Sequence, residues 1–270
     1  MPPLETEKPK GLIGRFLALP PDSVPKTIFV AVTLCLVASI AVSAVAVSLR
    51  PLQNANQLQN KQQNILEVAG LYQPGQNIAE AFQAFEPKVL DIEAGVFTDA
   101  YDPVTFDDRA AADDPNLSTA LSEDPASIGR RTNFVTVYVL RDEAGEIDKV
   151  VLPIHGYGLW STLYGFIAIE ENGNDIFGLQ FYEHGETPGL GAEVDNPRWK
   201  ALWRGKQLRD ENGDLRITVS KTPPDSGANY HVDGLSGATL TSNGVDSMVK
   251  FWVGEAGYQT FLDNLKSGNL

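Results

Sequence analysis

The strongest restriction on how this chain can fold is an uncharged run at positions 27–49, TIFVAVTLCLVASIAVSAVAVSL. In a helix that rises ~1.5 Å per residue, a run of this length crosses the ~30 Å hydrocarbon layer of a bilayer with some tilt. Lys26 and Arg50 lie at its two ends. We therefore expect a transmembrane helix over 27–49, embedded in the lipid bilayer.

A cleaved signal peptide is the alternative interpretation of this run, because AVA at 44–46 resembles a cleavage site. However, the run is longer than the ~7–15 apolar residues usual in a signal peptide, and 26 residues precede it. The sequence therefore favours a retained anchor.

The distribution of basic residues predicts the orientation of this anchor. Four basic residues precede the run, and Arg50 and Lys61 are the only ones in the first stretch after it. Because basic segments stay on the cytoplasmic side, we expect residues 1–26 in the cytoplasm and a single domain, 50–270, outside it.

Composition excludes several functions for that domain. Residues 51–270 hold 16 basic and 32 acidic side chains, and such a surface repels nucleic acid. The single cysteine, Cys35, rules out a disulfide or an iron–sulfur cluster within this chain. Three scattered histidines do not suggest a metal site.

Three segments between the anchor and the first strands differ in their patterns. Residues 51–69 are typical of a polar helix that continues from the anchor and stops at Gly70. Residues 77–92 are typical of an amphipathic segment with helical spacing that Pro87 interrupts. The acidic, proline-containing stretch 98–131 is expected to be irregular.

Alternating apolar residues then predict strands. Two hairpins are expected, 133–140 with 149–154 and 163–170 with 176–183, followed by a strand at 215–221. Hairpins with helices before and after them predict an α+β fold around an antiparallel sheet.

Three glycine-rich loops interrupt this pattern, at 155–165, at 183–199 and in the first half of the stretch 231–252. Glycine is used where backbone approaches a ligand closely or takes a positive φ. Any one loop is most simply the end of a hairpin. Three such loops in one small domain, each with hydroxyl or aromatic residues, instead favour a binding site.

The third loop leads into an apolar helical stripe, formed by Val245, Met248, Val249 and Trp252. Thr241, Ser242 or Asn243 is expected to cap this helix, which leaves Thr239 just ahead of the helix N-terminus without a structural task. Unpaired N–H groups and the helix dipole favour a phosphate there. A capping turn of small residues is the simpler alternative.

Asp233 stands three residues before Ser236 and completes the pattern D-x-x-S-G-A-T. With the ETPGLG loop at 186–191 and one preceding membrane span, this sequence resembles the FMN-binding domain family. That family is shared by the C subunit of the Na+-translocating NADH:quinone reductase and its counterpart in Rnf electron-transfer complexes. The stretches GLWSTLYGF and PRWKALW favour the first, whereas His155 and Tyr157 depart from the basic loop expected there.

The resemblance implies the roles of the residues in these loops. FMN would be joined through its phosphate to Thr239, with Asp233, Ser236, Gly237, Ala238 and Thr239 recognised by a flavin transferase. Ser236, Gly237 and Ala238 would also line the phosphate. Further FMN contacts would come from Glu186, Thr187, Leu190 and Gly191 on one side and from Gly158, Leu159, Trp160, Ser161 and Thr162 on the other.

Several of these residues have structural alternatives. Glu186 could instead cap its own loop through backbone N–H groups, and Trp160 could be a core or interface residue. Asp233 could simply stabilise its turn. Trp199 and Trp203 are expected in the core. His184 and His231 are expected to be structural, with proton delivery to the flavin as the alternative.

The resemblance implies an electron carrier in a bacterial inner membrane, with its main domain in the periplasm. It would relay electrons in a complex that couples NADH oxidation by quinone to Na+ export. The sequence has no G-x-G-x-x-G dinucleotide fingerprint, so other subunits would perform the NADH and quinone steps. The alternatives are an Rnf-type carrier and, in a different class, a non-redox membrane-anchored binding or assembly module.

Overall fold

A computed structural model describes residues 11–20, 23–223 and 227–270. Helix α1 is Gly11–Leu17, and helix α2 is Val24–Val68, 45 residues long. The predicted anchor and its polar extension therefore form one helix, which passes through Pro51. Gly70, with φ +75°, follows its end as predicted.

Helix α2 is long and apolar enough to cross a membrane. Its most apolar window has a mean hydropathy of 2.7, and none of that window is buried within the protein. The chain divides into two compact units, one ending at Gln57 and the other beginning at Leu58. The following description concerns the second unit.

A seven-stranded antiparallel sheet, in the order β2-β1-β5-β6-β7-β8-β9, forms the centre of this unit. Short pairs β3–β4 and β10–β11 lie outside it, the second of them parallel. The strands are β1 Phe85–Asp91, β2 Val96–Thr98, β3 Ser118–Ala120, β4 Arg130–Thr132, β5 Phe134–Arg141, β6 Ile147–Tyr157, β7 Thr162–Glu170, β8 Asp175–Glu183, β9 Lys206–Gln207, β10 Thr218–Ser220 and β11 His231–Asp233. Both predicted hairpins, β5–β6 and β7–β8, are confirmed.

The sheet is buried on both faces. Along β6, Val150 and Leu152 belong to the larger core, whereas Val151 belongs to a smaller core that includes Ile65 and Leu66 of α2. Because successive side chains of a strand point to opposite faces, two covered faces require continuous apolar runs such as KVVLPI. The end of α2 covers one face, and the C-terminal helices cover the other.

Among residues 58–223 and 227–270 of this unit, which the structure describes, five α-helices follow α2: α3 Ile78–Ala81, α4 Asp108–Asp113, α5 Pro197–Lys200, α6 Thr239–Val253 and α7 Gln259–Ser267. The predicted stripe of α6 is buried in the larger core. Trp199 and Trp203 are buried there too, with their rings edge to face at 5.7 Å, which confirms their predicted core role. The α+β prediction is thus confirmed.

The helical prediction for 77–92 is largely wrong. Only α3 and one turn of 3-10 helix at Phe82–Ala84 are helical, and β1 begins at Phe85. Strand β2 pairs only with Val89–Asp91, so β1 is an edge strand at Pro87. Proline, which cannot donate to a strand ladder, is found in sheets at edge positions of this kind.

Two other predictions need correction. Stretch 98–131 is not wholly irregular, since it contains α4, β3 and part of β4. Its elements are short and depend on local caps, such as the Asp107 carboxylate that accepts the N–H groups of Arg109 and Ala110. The strand predicted at 215–221 is also shorter and spans Thr218–Ser220.

Candidate functional site

Helix α6 begins at Thr239, earlier than the predicted caps allow. Its N-cap is Ala238, and no side chain of the described residues caps its first N–H groups. Thr241, Ser242 and Asn243 therefore lie inside the helix, and their predicted capping role is wrong. Thr241 and Ser242 are buried, and their hydroxyls donate to Glu186 and to the Ala238 carbonyl instead.

Ser242 holds the turn before α6 from within the helix. Its Oγ donates to the Ala238 carbonyl at 3.0 Å and accepts the Leu235 N–H at 2.8 Å. Gly237, in the same turn, has φ +75°, a conformation that favours glycine. The turn is thus fixed without using the Thr239 side chain.

Thr239 is exposed as the first residue of α6. Within residues 11–20, 23–223 and 227–270, its hydroxyl has no hydrogen-bond partner. No hydrogen bond among the described residues therefore ties the Thr239 side chain to the fold. Its hydroxyl stands at an uncapped helix N-terminus, where backbone N–H groups and the helix dipole favour an anion.

Glu186 connects the three glycine-rich loops. Its Oε1 accepts the N–H groups of Leu159 at 2.9 Å and Trp160 at 3.0 Å, and its Oε2 accepts the Thr241 hydroxyl at 2.7 Å. Glu186 is 5% exposed. Glu186 therefore caps a loop through backbone N–H groups, as the structural alternative predicted. The loop it caps is the first one, at Leu159 and Trp160, and not its own.

These hydrogen bonds keep Glu186 ionised. Burial by itself would raise the pKa of the carboxyl, but the hydrogen bonds from Trp160, Thr241 and Leu159 outweigh it and hold the pKa below its ordinary value. Glu186 thus gives the site a buried negative charge.

Glycines allow the three segments to approach one another. A Cβ on Gly158 would lie 2.6 Å from Glu186 Oε1, and one on Gly191 would meet Glu186 Oε2 and lie 2.6 Å from Thr241 Oγ1. A Cβ on Gly244 of α6 would collide with the Tyr157 carbonyl oxygen. Close packing around Glu186 and α6 explains these three glycines.

Large apolar side chains remain exposed on the same three segments. We call them the apolar rim: Tyr157, Leu159, Trp160, Leu190 and Leu240. Trp160 is 65% exposed and Leu240 is 59% exposed, which places Trp160 outside the core. The sequence prediction missed Leu240, although an outward leucine in the first turn of an amphipathic helix is an available signal.

The remaining predicted residues support these loops. Ser161 Oγ accepts the Gly185 N–H at 2.6 Å, and the Thr187 carbonyl accepts the N–H groups of Leu190 and Ala192. Thr162 pairs with Tyr157 at the start of β7.

The motif ahead of α6 presents its polar side chains to solvent. Ser236 is exposed, and the Asp233 side chain is 69% exposed. The Asp233 carbonyl accepts the Trp199 Nε1–H at 2.8 Å. The backbone of this motif is therefore anchored while its carboxylate and hydroxyls remain accessible.

The two site histidines have structural partners. His184 Nε2 lies 2.8 Å from Asp195 Oδ2, and its Nδ1 accepts the Glu186 N–H. His231 Nε2 lies 2.9 Å from the Ser220 carbonyl oxygen. In the part of the chain that the structure describes, no group of three or more His, Cys, Asp or Glu side chains could hold a metal ion.

The FMN-binding domain family matches residues 158–254, a range that contains α6 and most of the three loops. The observed groups fit FMN: an exposed hydroxyl at a helix N-terminus for its phosphate and an apolar rim beside it for a planar ring. The fold and the site therefore define a flavoprotein with an FMN-binding domain.

Relatives identify the kind of flavoprotein. The C subunit of the Na(+)-translocating NADH-quinone reductase of Pseudomonas aeruginosa is 49% identical, with 92% of this chain and 98% of the relative covered. The corresponding protein of Yersinia pestis, with the same name, is 47% identical, with coverage of 92% and 96%. The chain belongs to the family of C subunits of the Na(+)-translocating NADH-quinone reductase.

Solved structures of C subunits from this family resemble the fold of this chain. The crystal structure of Shewanella oneidensis NqrC matches with a TM-score of 0.71 and 36% identity, covering 77% of this chain and 98% of that one. The C subunit from Parabacteroides distasonis matches with a TM-score of 0.61 and 30% identity, covering 79% and 96%. With helix α2, this membership indicates a membrane-anchored subunit of an oxidoreductase complex.

Proposed function

We propose that this chain carries FMN covalently attached to Thr239 Oγ1 and relays electrons within a membrane complex that couples NADH oxidation by quinone to Na+ export. The single observation that carries the proposal is Thr239 itself, an exposed hydroxyl without a partner among the described residues, at the N-terminus of α6 within an FMN-binding domain. Bound FMN supplies one-electron chemistry that the side chains of this chain lack.

The protein's part is to hold and orient the cofactor. The first N–H groups of α6 and the turn Ser236–Ala238 would receive the phosphate, while the apolar rim would receive the ring. The rim residues predicted for this purpose are Leu159, Trp160 and Leu190, and Leu240 joins them. Thr187 and Gly191 would support the second loop, as Ser161 and Thr162 would support the first.

Attachment requires a second protein, because a threonine hydroxyl is a weak nucleophile without an adjacent base. A flavin transferase would take the Thr239 proton and transfer the FMN phosphoryl group from an activated flavin donor, whose leaving group departs. The accessible Asp233 carboxylate and the Ser236–Thr239 run suit recognition by such an enzyme.

We further propose that residues 1–26 lie in the cytoplasm, that 27–49 cross the inner membrane, and that 50–270 form the periplasmic FMN domain. The relatives named above favour this complex over the Rnf type. Its other subunits would supply the NADH and quinone sites.

The test is in-gel flavin fluorescence of the full-length denatured protein, made in cells that also produce the flavin transferase. We expect fluorescence that survives boiling in detergent, and its loss in Thr239→Val. Thr222→Val is the matched control, because Thr222 is also exposed but lies outside the motif. Covalent flavin retained in Thr239→Val, or absent from the unaltered protein, would overturn the proposal.

A further inference from the structure

Glu186 is an ionised side chain buried at the meeting point of the three loops. Three donors hold its carboxylate: two backbone N–H groups of the first loop and the Thr241 hydroxyl of α6. Thr241 is fully buried, and Thr239 lies two residues before it. Glu186 therefore connects, through hydrogen bonds, the rim residues Leu159 and Trp160 to the first turn of α6, which carries the Thr239 hydroxyl.

We propose that Glu186 is a positioning residue that fixes the first loop against α6 and places a permanent negative charge beside the flavin, thereby lowering the flavin's reduction potential. This inference rests on the proposed function for the cofactor, but its first part concerns the protein alone.

The effect on the reduction potential follows from electrostatic repulsion between like charges. Reduction adds an electron, and a nearby fixed anion disfavours any added negative charge. A unit charge at ~10 Å in a medium of effective dielectric constant ~20 changes an equilibrium constant by about tenfold. No other ionised side chain among the described residues of these loops bonds to both the first loop and α6.

The positioning step follows from the hydrogen bonds. Without this side chain, as in Glu186→Ala, the Leu159 and Trp160 N–H groups lose a shared acceptor, and Thr241 loses its partner. Glu186→Gln removes the charge but keeps these partners, because its amide oxygen accepts the two N–H groups and its NH2 group donates to the Thr241 hydroxyl. Loss of one such hydrogen bond accelerates local amide exchange by about tenfold.

The experiment compares full-length wild type, Glu186→Ala, Glu186→Gln and Thr241→Val in detergent, with Glu193→Ala as a control that truncates another carboxylate on the same segment. Amide exchange of Leu159 and Trp160 is measured on protein made without flavin. We expect about tenfold faster exchange in Glu186→Ala and wild-type exchange in Glu193→Ala. Unchanged exchange in Glu186→Ala would overturn the positioning role.

The flavin midpoint potential is then measured by spectroelectrochemical titration of flavin-loaded protein. We expect a positive shift in Glu186→Gln, corresponding to about tenfold easier reduction, and a much smaller shift in Thr241→Val, which keeps the charge. An unchanged potential in Glu186→Gln with flavin still attached would overturn the electrostatic role alone. Wild-type protein without attached flavin would instead overturn the proposed function, while the exchange result would still stand.

Discussion

Two carboxyl groups show how surroundings set the behaviour of single residues. Glu186 has a lowered pKa, because its hydrogen bonds outweigh burial, so it stabilises the fold above its ordinary pKa and loses this contribution in acid. Asp108 is the opposite case. Burial raises its pKa to about 6, although its Oδ1 accepts the Thr136 N–H at 2.9 Å.

Asp108→Asn should stabilise the protein at pH 8 by about 2–3 kcal/mol and have little effect at pH 4, close to the unfolded pKa. A raised carboxyl pKa favours folding below the unfolded value of 3.8 and loses that contribution as pH rises through about 6. The amide cannot ionise and still accepts from Thr136. Thermal melts of full-length protein at both pH values check this, and an equal effect at both would contradict it.

Gly191→Ala should destabilise the site by about 1–3 kcal/mol, because the new methyl group would collide with Glu186 and Thr241. Gly234→Ala is the matched control, since its Cβ would meet neighbours at 3.4 Å or more, an ordinary contact. Thermal melts and covalent flavin content provide the measurements. Equal stability of the two variants would show that the packing around Glu186 is loose.

At the scale of elements, one buried polar group connects α2, β8 and α5. Gln180 is 8% exposed, and its Nε2 donates to Asn64 Oδ1 at 2.7 Å and Glu67 Oε2 at 3.1 Å. Its Oε1 accepts Lys200 Nζ at 2.7 Å. The end of α2 is thus joined to the strand that leads into the ETPGLG loop.

Gln180→Leu should therefore lower the free energy of unfolding by about 1–3 kcal/mol. Asn64, Glu67 and Lys200 would each lose a hydrogen-bond partner in a mostly buried setting. Gln207→Leu is the control, since the Gln207 side chain donates one hydrogen bond, to Asp175, at the sheet edge. Denaturant unfolding of full-length protein in detergent compares them. A cost no larger than that of the control would contradict the role given to Gln180.

The elements that could be predicted from the sequence are those with a strong period. The two hairpins and the stripe of α6 follow from alternation and from i, i+3, i+4 spacing. The failures are elements whose conformation depends on neighbours: β1 has helical spacing but pairs with β5, and α4 is too short to show a period. Tertiary pairing overrode local propensity there.

The site residues also fall into those that local motifs predicted and those that only tertiary contacts reveal. Short motifs pointed to Thr239 and to the ETPGLG loop, and Thr239 is exposed and unpartnered among the described residues. No local pattern could assign Thr241 to Glu186, because the two are 55 positions apart in the sequence. The exposed Leu240 was missed although its place in the first turn of an amphipathic helix is a local signal; that it belongs to the apolar rim follows only from the folded arrangement of the loops.

At the scale of the whole molecule, the proposed orientation can be tested by labelling. In a Cys35→Ser background, Val104→Cys should react with a membrane-impermeant thiol reagent in cells whose outer membrane has been permeabilised. Val104 is 82% exposed in the main domain. Arg15→Cys, before the apolar run, is the matched control and should react only after lysis. The reverse pattern would contradict a periplasmic domain.

The central claim is that Thr239 Oγ1 carries FMN. Its most direct test is a fragmentation mass spectrum of the peptide covering residues 222–250, taken from full-length protein made with the flavin transferase. The account predicts an added mass of FMN less one water, placed by the fragments on Thr239. An unmodified peptide, or the added mass on another residue, would contradict it.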